Sequence, residues 1–438
     1  MTKRNVLVVA YYFPPLGLSG VQRTLKFVKY LPQFGWKPTV LTVTPTGYYA
    51  QDESLLAELD DPDIRIERVG SLDPNRLFRK RGTVKMPSEG TRKVLSFASD
   101  LFFIPDNKIG WRKKAVARAS ELLSAEKYSV IFATAPPFTD LLIGLDLREK
   151  FNIPLVVDYR DPWYAYPHKY FPTPYHRWRN TSLEKRVLRR SSGVITTNRR
   201  VKELMVKRFK VLEYNDVTII PQGFDPADFV LNGSASAPAV TPAAAPAVAA
   251  PAAPAGRLKI THAGVFYGGR SPRRFLEAVA KLRTADTEAF AALEVHLIGA
   301  LQDEHVRSVG ALGLGDKVKV RGYLEHRECV REMQSSDVLW LTLDNDTQSP
   351  GKLYEYLGAR KPILACVPPG FVRQTLEDAG ASIIVDPDDT DAIAAAIRRF
   401  ATMRRNNALP VPDESEVRRY DRVALTNELS KIFGFLAE

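Results

Sequence analysis

A short apolar run, a Gly- or Pro-rich loop, a helical stretch and another apolar run recur along almost the whole chain. This alternation is what most restricts the fold. Val6–Ala10 is one such run, followed by the loop YYFPPLGLSG (residues 11–20). Val21, Leu25, Val28 and Leu31 then repeat at helical spacing, Gly35 ends the helix, and KPTVLTV (37–43) is the next run. Short runs without polar alternation fit strands covered on both faces. Parallel neighbours need a crossover, so strand–helix–strand units build a doubly wound parallel sheet. The rhythm continues through YSVIFAT (128–134), a helical stretch at 138–150, PLVVDYR (154–160), a basic helix at 178–191, GVITTN (193–198) and VTIIPQG (217–223).

The tract SASAPAVTPAAAPAVAAPAAPAG (234–256) interrupts it. It has no charge and no period, and prolines at this density forbid a continuous helix, so it reads as an extended or disordered spacer. The β/α rhythm then restarts with LKITHAG (258–264), LEVHLIG (293–299), KVKVRGY (317–323), DVLWLTL (337–343), PILACV (362–367) and SIIVDP (382–387). The expected organisation is a Rossmann-like domain over 1–230, a linker over 231–256 and a second Rossmann-like domain over 257–415. A helix over 416–438 would follow and cross back to the first domain. Two such halves would face each other across a cleft lined by strand carboxyl ends.

The 62 Lys and Arg outnumber 50 Asp and Glu, a formal charge of +12. That excess suits an anionic partner such as a nucleotide-linked substrate or an acidic membrane surface. No nucleic-acid signature accompanies it, so nucleic acid is not expected. Cys329 and Cys366 are the only cysteines and show neither zinc spacing nor a disulfide framework, which fits a cytoplasmic protein. The first apolar run breaks at Tyr11-Tyr12-Phe13-Pro14-Pro15, too early for a signal core or a membrane span.

The stretch SPGKLYEYLGARKPILA (349–365) carries the most chemistry. Ser349 and Pro350 mark a helix start and Gly358 with Pro362 its end, which puts Lys352 in the first turn. A cation there opposes the helix dipole. It makes sense where a phosphate supplies the negative charge, because free N–H groups at such a terminus bind anions. Glu355, three residues on, could accept from ribose hydroxyls. A Lys352–Glu355 surface pair worth about 0.2–0.5 kcal/mol is the plainer alternative.

SPGKLYEYLGARKPILA resembles the C-terminal donor-site motif of the group-1 (family 4-type) GT-B glycosyltransferases. Companion stretches occur in order. YYFPPLGLSGVQRTLKFVKYLPQFGWKPTVLT resembles the family's N-terminal glycine loop and first helix, and PLVVDYRDPW the Asp-x-Arg-Asp-x-Trp segment of one subgroup. VITTN and IIPQGFD resemble the segment before the linker, and HAGVFYGGRSPRRFLEAV the glycine–arginine segment that opens the donor domain.

The resemblance implies a GT-B fold and a nucleotide diphosphate sugar as co-substrate. It implies that Glu355 binds the donor ribose, that Arg270 and Lys352 neutralise the diphosphate, and that the backbone at Tyr323 and Leu324 faces the base. Gly351 and Leu353 flank Lys352 in the same motif and belong to the implied donor site. Gly17 and Gly20 would let backbone N–H groups approach the phosphate and sugar; a plain β–α turn is the alternative. Many relatives carry a second Glu eight positions before the ribose-binding one, where this chain has Thr347, so Thr347, Gln348 and Ser349 are candidates for sugar contacts. Arg160 falls where many relatives place a sugar-contacting His. Asp158 and Asp161 flank it as catalytic candidates, a carboxylate at a strand end being placed for acid/base work. A solvent-facing Arg–Asp pair is the alternative.

Asp344–Asp346 mimics an Asp-x-Asp metal motif, but with Arg270, Lys352 and a helix N-terminus supplying positive charge it reads as loop chemistry. The six histidines lack metal spacing, and His262 sits within a strand pattern. No metal and no cofactor are expected. Basic clusters beside Leu, Phe and Trp over 76–118, including Arg79, Lys80 and Arg81, suit either an anionic membrane surface or a solvated face.

The expected activity is transfer of a sugar from a nucleotide diphosphate to a glycan or lipid-linked acceptor in surface-polysaccharide assembly. Retention and metal independence are expected, with the chain cytoplasmic or peripheral on the inner membrane face. A sugar-nucleotide epimerase of the same fold and a catalytically silent partner subunit are the alternatives. Replacing 236–253 by a brief Gly/Ser linker should leave melting and activity nearly unchanged, since loop closure varies by only ~0.6 kcal/mol per doubling of length. A large loss of stability in thermal melts would show instead that the tract packs.

Overall fold

The computed structural model describes residues 3–17, 19–45, 51–72, 89–165, 169–230, 257–266 and 269–438. The expected linker (231–256) and the cluster Arg79, Lys80 and Arg81 lie outside the described residues.

The chain forms two parallel α/β sheets, each with its own core. The first contains β1 (Arg4–Val9), β2 (Trp36–Val43), β3 (Arg65–Val69), β4 (Val130–Ala135), β5 (Leu155–Tyr159), β6 (Gly193–Thr196) and β7 (Val217–Ile219), in the order β3-β2-β1-β4-β5-β6-β7. The second contains β8 (Leu258–Ala263), β9 (Leu293–Ile298), β10 (Val318–Gly322), β11 (Val338–Thr342), β12 (Ile363–Cys366) and β13 (Ser382–Val385), in the order β10-β9-β8-β11-β12-β13. Every strand pairing within these sheets is parallel. In each sheet the order reverses beside the first strand, between β1 and β4 and between β8 and β11. Ligands of doubly wound sheets bind at such switch points.

The apolar runs become the central strands. Val6, Leu7, Val8 and Val9 are wholly buried, as are Val295 and Leu297 of β9. The first helix runs from Ser19 to Tyr30, and Gly35, at φ 84°, closes the short 3-10 turn behind it in a left-handed conformation that glycine takes without steric cost. Strand β3 has no counterpart among the apolar runs. Its sequence RIERV carries three charges and sits at a sheet edge, where side chains reach water and a continuous apolar run is unnecessary. The helix expected to open at Pro350 begins one residue later, at Gly351, and runs to Gly358.

The first compact unit comprises the chain up to Gly223 together with Thr347–Gly351 and Arg422–Glu438; the second comprises Phe224–Asp346 and Lys352–Asp421. Residues 224–230, assigned to the first domain from sequence, therefore lie with the second. Phe224 is the reason: its N–H donates to Tyr420 O at 3.0 Å, and its ring fills the space that a side chain at Gly358 would need. The last helix, Arg422–Leu436, belongs to the first unit and buries Leu425, Leu429 and Phe433 in its core. Among the described residues no helix is long and apolar enough to cross a membrane.

Phe433 meets Trp36 and Phe132 edge-on, with ring centroids 5.3 and 5.6 Å apart, and is wholly buried. Phe433→Ala should lower the stability of the first unit by about 3–5 kcal/mol in denaturant unfolding. A loss under about 1 kcal/mol would show that this helix contributes little to the core.

Candidate functional site

In the second unit Arg270 follows β8, Tyr323 and Leu324 follow β10, and Lys352, Leu353 and Glu355 follow β11, while Thr347, Gln348, Ser349 and Gly351 fall with the first unit. Strand β11 leads through residues 343–350 into the helix Gly351–Gly358, with Lys352 in its first turn. Lys352 Nζ donates to Glu355 Oε2 and lies 3.7 Å from Cys329 Sγ. Glu355 is 7% exposed, so this is a largely buried pair and not the surface pair considered from sequence. Burial works against the charge on Lys352, but the Glu355 carboxylate paired with it outweighs that and holds the pKa above the ordinary lysine value. Burial pushes the Cys329 thiol up, so it stays protonated at neutral pH.

Tyr356 fixes the other side of the same helix. Its hydroxyl accepts from Ala263 N at 2.8 Å and approaches Trp340 O at 3.3 Å, which ties the helix to β8 and β11. Leu353 is wholly buried beneath it. Thr347 and Gln348 are buried ahead of the helix, and Ser349, Gly351, Tyr323 and Leu324 are partly exposed. Asp344 is occupied by the loop after β8 and by its neighbour: Oδ2 accepts from Gly269 N at 2.8 Å and Oδ1 from Asn345 Nδ2 at 2.8 Å. A side chain at Gly269 would come within 2.7 Å of that carboxylate, so glycine permits the approach. Arg270 comes directly after it, half-buried.

His262 stands at the end of β8. Its Nδ1 lies 3.0 Å from Trp340 O, which can only accept, so the proton sits there. Nε2 is buried with no hydrogen-bond partner among the described residues. The ring stacks on Phe266 at 4.3 Å and tilts against Trp340 at 5.0 Å. Burial, with the nearby charges of Arg270 and Lys352 adding to it, lowers the pKa to about 4.

In the first unit Gly17, Gly20, Asp158, Arg160 and Asp161 fall at the carboxyl ends of β1 and β5. Arg160 is 8% exposed and turned inward. It donates to Gly20 O, to Pro136 O and, through Nε at 3.2 Å, to Ala135 O. The guanidinium thus joins the glycine loop to the turn after β4. Asp158 is equally committed. Its two oxygens accept from Arg23 Nη2 at 2.9 Å and Nε at 3.0 Å, and Oδ2 also accepts from Thr134 Oγ1 at 2.9 Å. Both partners of this fork are about 1% exposed, so neither presents the solvent-facing pair considered from sequence. Asp161 is half-buried and begins the turn that seats Trp163 against Phe138, stacked at 5.1 Å.

Two residues that the sequence motifs did not single out complete this half. Arg23, in the first helix, holds Asp158 and donates to Pro221 O at 2.7 Å. Asp140 accepts from Tyr11 N at 2.8 Å and fixes the start of the glycine loop. Burial raises the Asp140 pKa well above the usual carboxylate value, against the pull of the Tyr11 N–H. The signal for Arg23 is a lone arginine one turn beyond Gly20 in an otherwise core-facing helix. No local pattern marks Asp140.

Two family models match the chain: Glycosyltransferase Family 4 over residues 19–228 and Glycosyl transferases group 1 over residues 257–403. No curated protein sequence matches. Among solved structures, sucrose-phosphate synthase from Thermosynechococcus elongatus superposes with a TM-score of 0.64 at 16% identity, covering 99% of each chain. HepE from Anabaena, in complex with UDP, gives 0.63 at 14% over 99% of this chain and 100% of its own. A putative UDP-N-acetylglucosamine 2-epimerase from Listeria monocytogenes gives 0.56 at 12% over 98% and 95%. At these identities the likeness is one of fold.

His262 titrates near 6.5 when unfolded and at about 4 in the fold, so between those values the unfolded chain binds more protons. Its contribution is constant above about pH 6.5, and stability is lost as pH falls through that window, by at most about 1.4 kcal/mol per unit. His262→Phe keeps the stack and removes the titration. Its unfolding free energy should fall less steeply than that of the parent between pH 6.5 and 4; parallel curves would show that His262 is not the group responsible.

Proposed function

We propose that this chain, which belongs to the group 1 glycosyltransferases of the family 4 type, moves a sugar from a nucleotide diphosphate to a hydroxyl of a glycan or lipid-linked acceptor, in surface-polysaccharide or glycoconjugate assembly. One observation carries the donor assignment: Lys352 and Glu355 share the first turns of a helix that starts at a strand carboxyl edge, beside the switch point of the second sheet. A diphosphate brought there would take charge-assisted hydrogen bonds from Lys352 and Arg270 and from the free N–H groups of the helix. Glu355 would turn its carboxylate to the ribose hydroxyls. Structural relatives solved with UDP and UDP-glucose support a uridine nucleotide as the first donor to test.

The reaction proposed is retaining. The bond between the sugar anomeric carbon and the diphosphate breaks, the acceptor oxygen bonds to that carbon on the same face, and a diphosphate oxygen takes the acceptor proton. Asp158 and Arg160 then serve as positioning residues, Arg160 tying the glycine loop to the turn after β4 and Asp158 fixing Arg23 of the first helix. The epimerase alternative needs acid and base groups converging on the sugar, and Asp158 is already engaged by Arg23 and Thr134. With Lys352 and Arg270 supplying charge, no divalent cation is required in this scheme. A lipid-linked acceptor would place the chain peripherally on the inner face of a membrane.

Lys352→Ala should weaken nucleoside diphosphate binding ten- to a hundredfold, since a charge-assisted contact contributes roughly 1.5–3 kcal/mol. The parent nucleoside should bind as before in the same calorimetric titrations, and EDTA should change neither affinity. Glu355→Gln should leave the fold intact while raising the donor KM or abolishing transfer. Equal losses for nucleoside and diphosphate, or a strict magnesium requirement, would sink the assignment.

A further inference from the structure

Seven exposed large apolar side chains of the first unit collect on one face. Leu95, Phe97, Leu101 and Phe102 project from the helix Glu89–Phe102, Phe102 being 76% exposed. Beside them stand Tyr170, Tyr175 and Trp178, with Trp178 61% exposed. The two stretches are stitched together across the sequence. Tyr170 N donates to Asp100 Oδ2 at 3.2 Å, Lys169 Nζ donates to Asp100 Oδ1 at 2.6 Å, and His176 Nε2 lies 3.0 Å from Leu101 O. Phe97 and Tyr170 have ring centroids 5.2 Å apart, and Tyr175 and Trp178 5.8 Å. Contiguous exposed apolar surface of this kind marks an interaction site.

The flank of this face is basic. The helix Pro174–Arg190 carries Arg177, Arg179, Lys185, Arg186, Arg189 and Arg190, while its one carboxylate, Glu184, is buried. At its start a pocket of about 610 Å³ opens, lined by Phe171, Trp178 and Thr181 and by the cations Arg177, Lys185 and Arg208. Among the described residues none that lines it is acidic. The Thr181 hydroxyl is buried there without a hydrogen-bond partner among the described residues.

We propose that this face docks on an anionic phospholipid bilayer, with the exposed rings and leucines entering the headgroup region and Arg177, Lys185 and Arg208 holding lipid phosphates in the pocket. Trp and Tyr favour that interface, and basic residues beside them add attraction to anionic lipid. A nucleic acid would stack on Trp178 and Tyr175 but offers nothing to Leu95, Leu101 and Phe102. The inference deepens the reading of a lipid-linked acceptor by naming the partner surface. It fails separately from that reading, because none of these residues belongs to the donor site.

Co-sedimentation of the full chain with phosphatidylcholine vesicles, with and without phosphatidylglycerol, tests it. Binding should require the anionic lipid, weaken with salt and resist competition by millimolar inorganic phosphate. The pairs Trp178→Ser with Phe102→Ser, and Arg177→Glu with Lys185→Glu, should each weaken it about tenfold while leaving nucleotide-induced thermal shifts unchanged. Failure to bind anionic vesicles, or binding indifferent to both pairs, overturns the proposal. Loss with the charge pair alone, together with equal retention of the ring pair on heparin, overturns it in favour of a general polyanion surface.

Discussion

Parallel pairing throughout both sheets puts every strand carboxyl end of a sheet on the same edge, and that constraint sets the conformation of the chain beyond each strand. A parallel ladder leaves the chain to turn at that edge and return through a helix, so helix N-termini and their unpaired N–H groups collect there. The glycine loop after β1, the Ala135–Pro137 turn after β4 and the Lys352 helix after β11 are three products of one rule. The side chains then determine what each turn offers. Arg160 draws carbonyls from the start of the first helix and from the turn after β4 toward itself and so ties the two together. Lys352 adds a formal charge to the partial charges of its own helix terminus.

Buried acids in the first unit reach stability by two different routes. Asp158 accepts a two-pronged bond from Arg23, and breaking such a buried pair costs about 3–5 kcal/mol. Glu184 accepts from Tyr164 N, at 3.0 Å, and burial raises its pKa to about 8, so it is largely protonated at neutral pH. The first arrangement is rigid and directional. The second leaves the outward cations of the helix Pro174–Arg190 without a partner on their own helix, and Arg186 and Arg190 turn instead to Glu149.

Most strands were legible because a doubly covered strand must be apolar along its length, and Val6–Val9 or Val338–Leu341 admit no other reading. Strand β3 escaped because an edge strand with the sequence RIERV has no such obligation. Lys352 was legible through its place relative to a well-marked helix start. The commitments of Asp158 and Arg160 were not. The first depends on an arginine 135 residues away, and the second on carbonyls that no sequence pattern announces. The exposed rings of residues 97–102 and 170–178 likewise form one face only after the fold brings Asp100 to Tyr170. Partners distant in sequence are what local periodicity cannot report.

The membership of the last helix in the first unit orders events on the ribosome. The strands β1–β7 emerge early, yet the surface around Trp36 and Phe132 that Phe433 covers stays open until Arg422–Leu436 is made. The whole second unit is synthesised in between. At ordinary elongation of roughly 5–20 residues per second, that wait is on the order of ten to forty seconds. A nascent first unit with an uncovered aromatic patch is a client for holding chaperones. Truncation near the C-terminus would leave it in that state permanently, with the second unit finished and the first never closed.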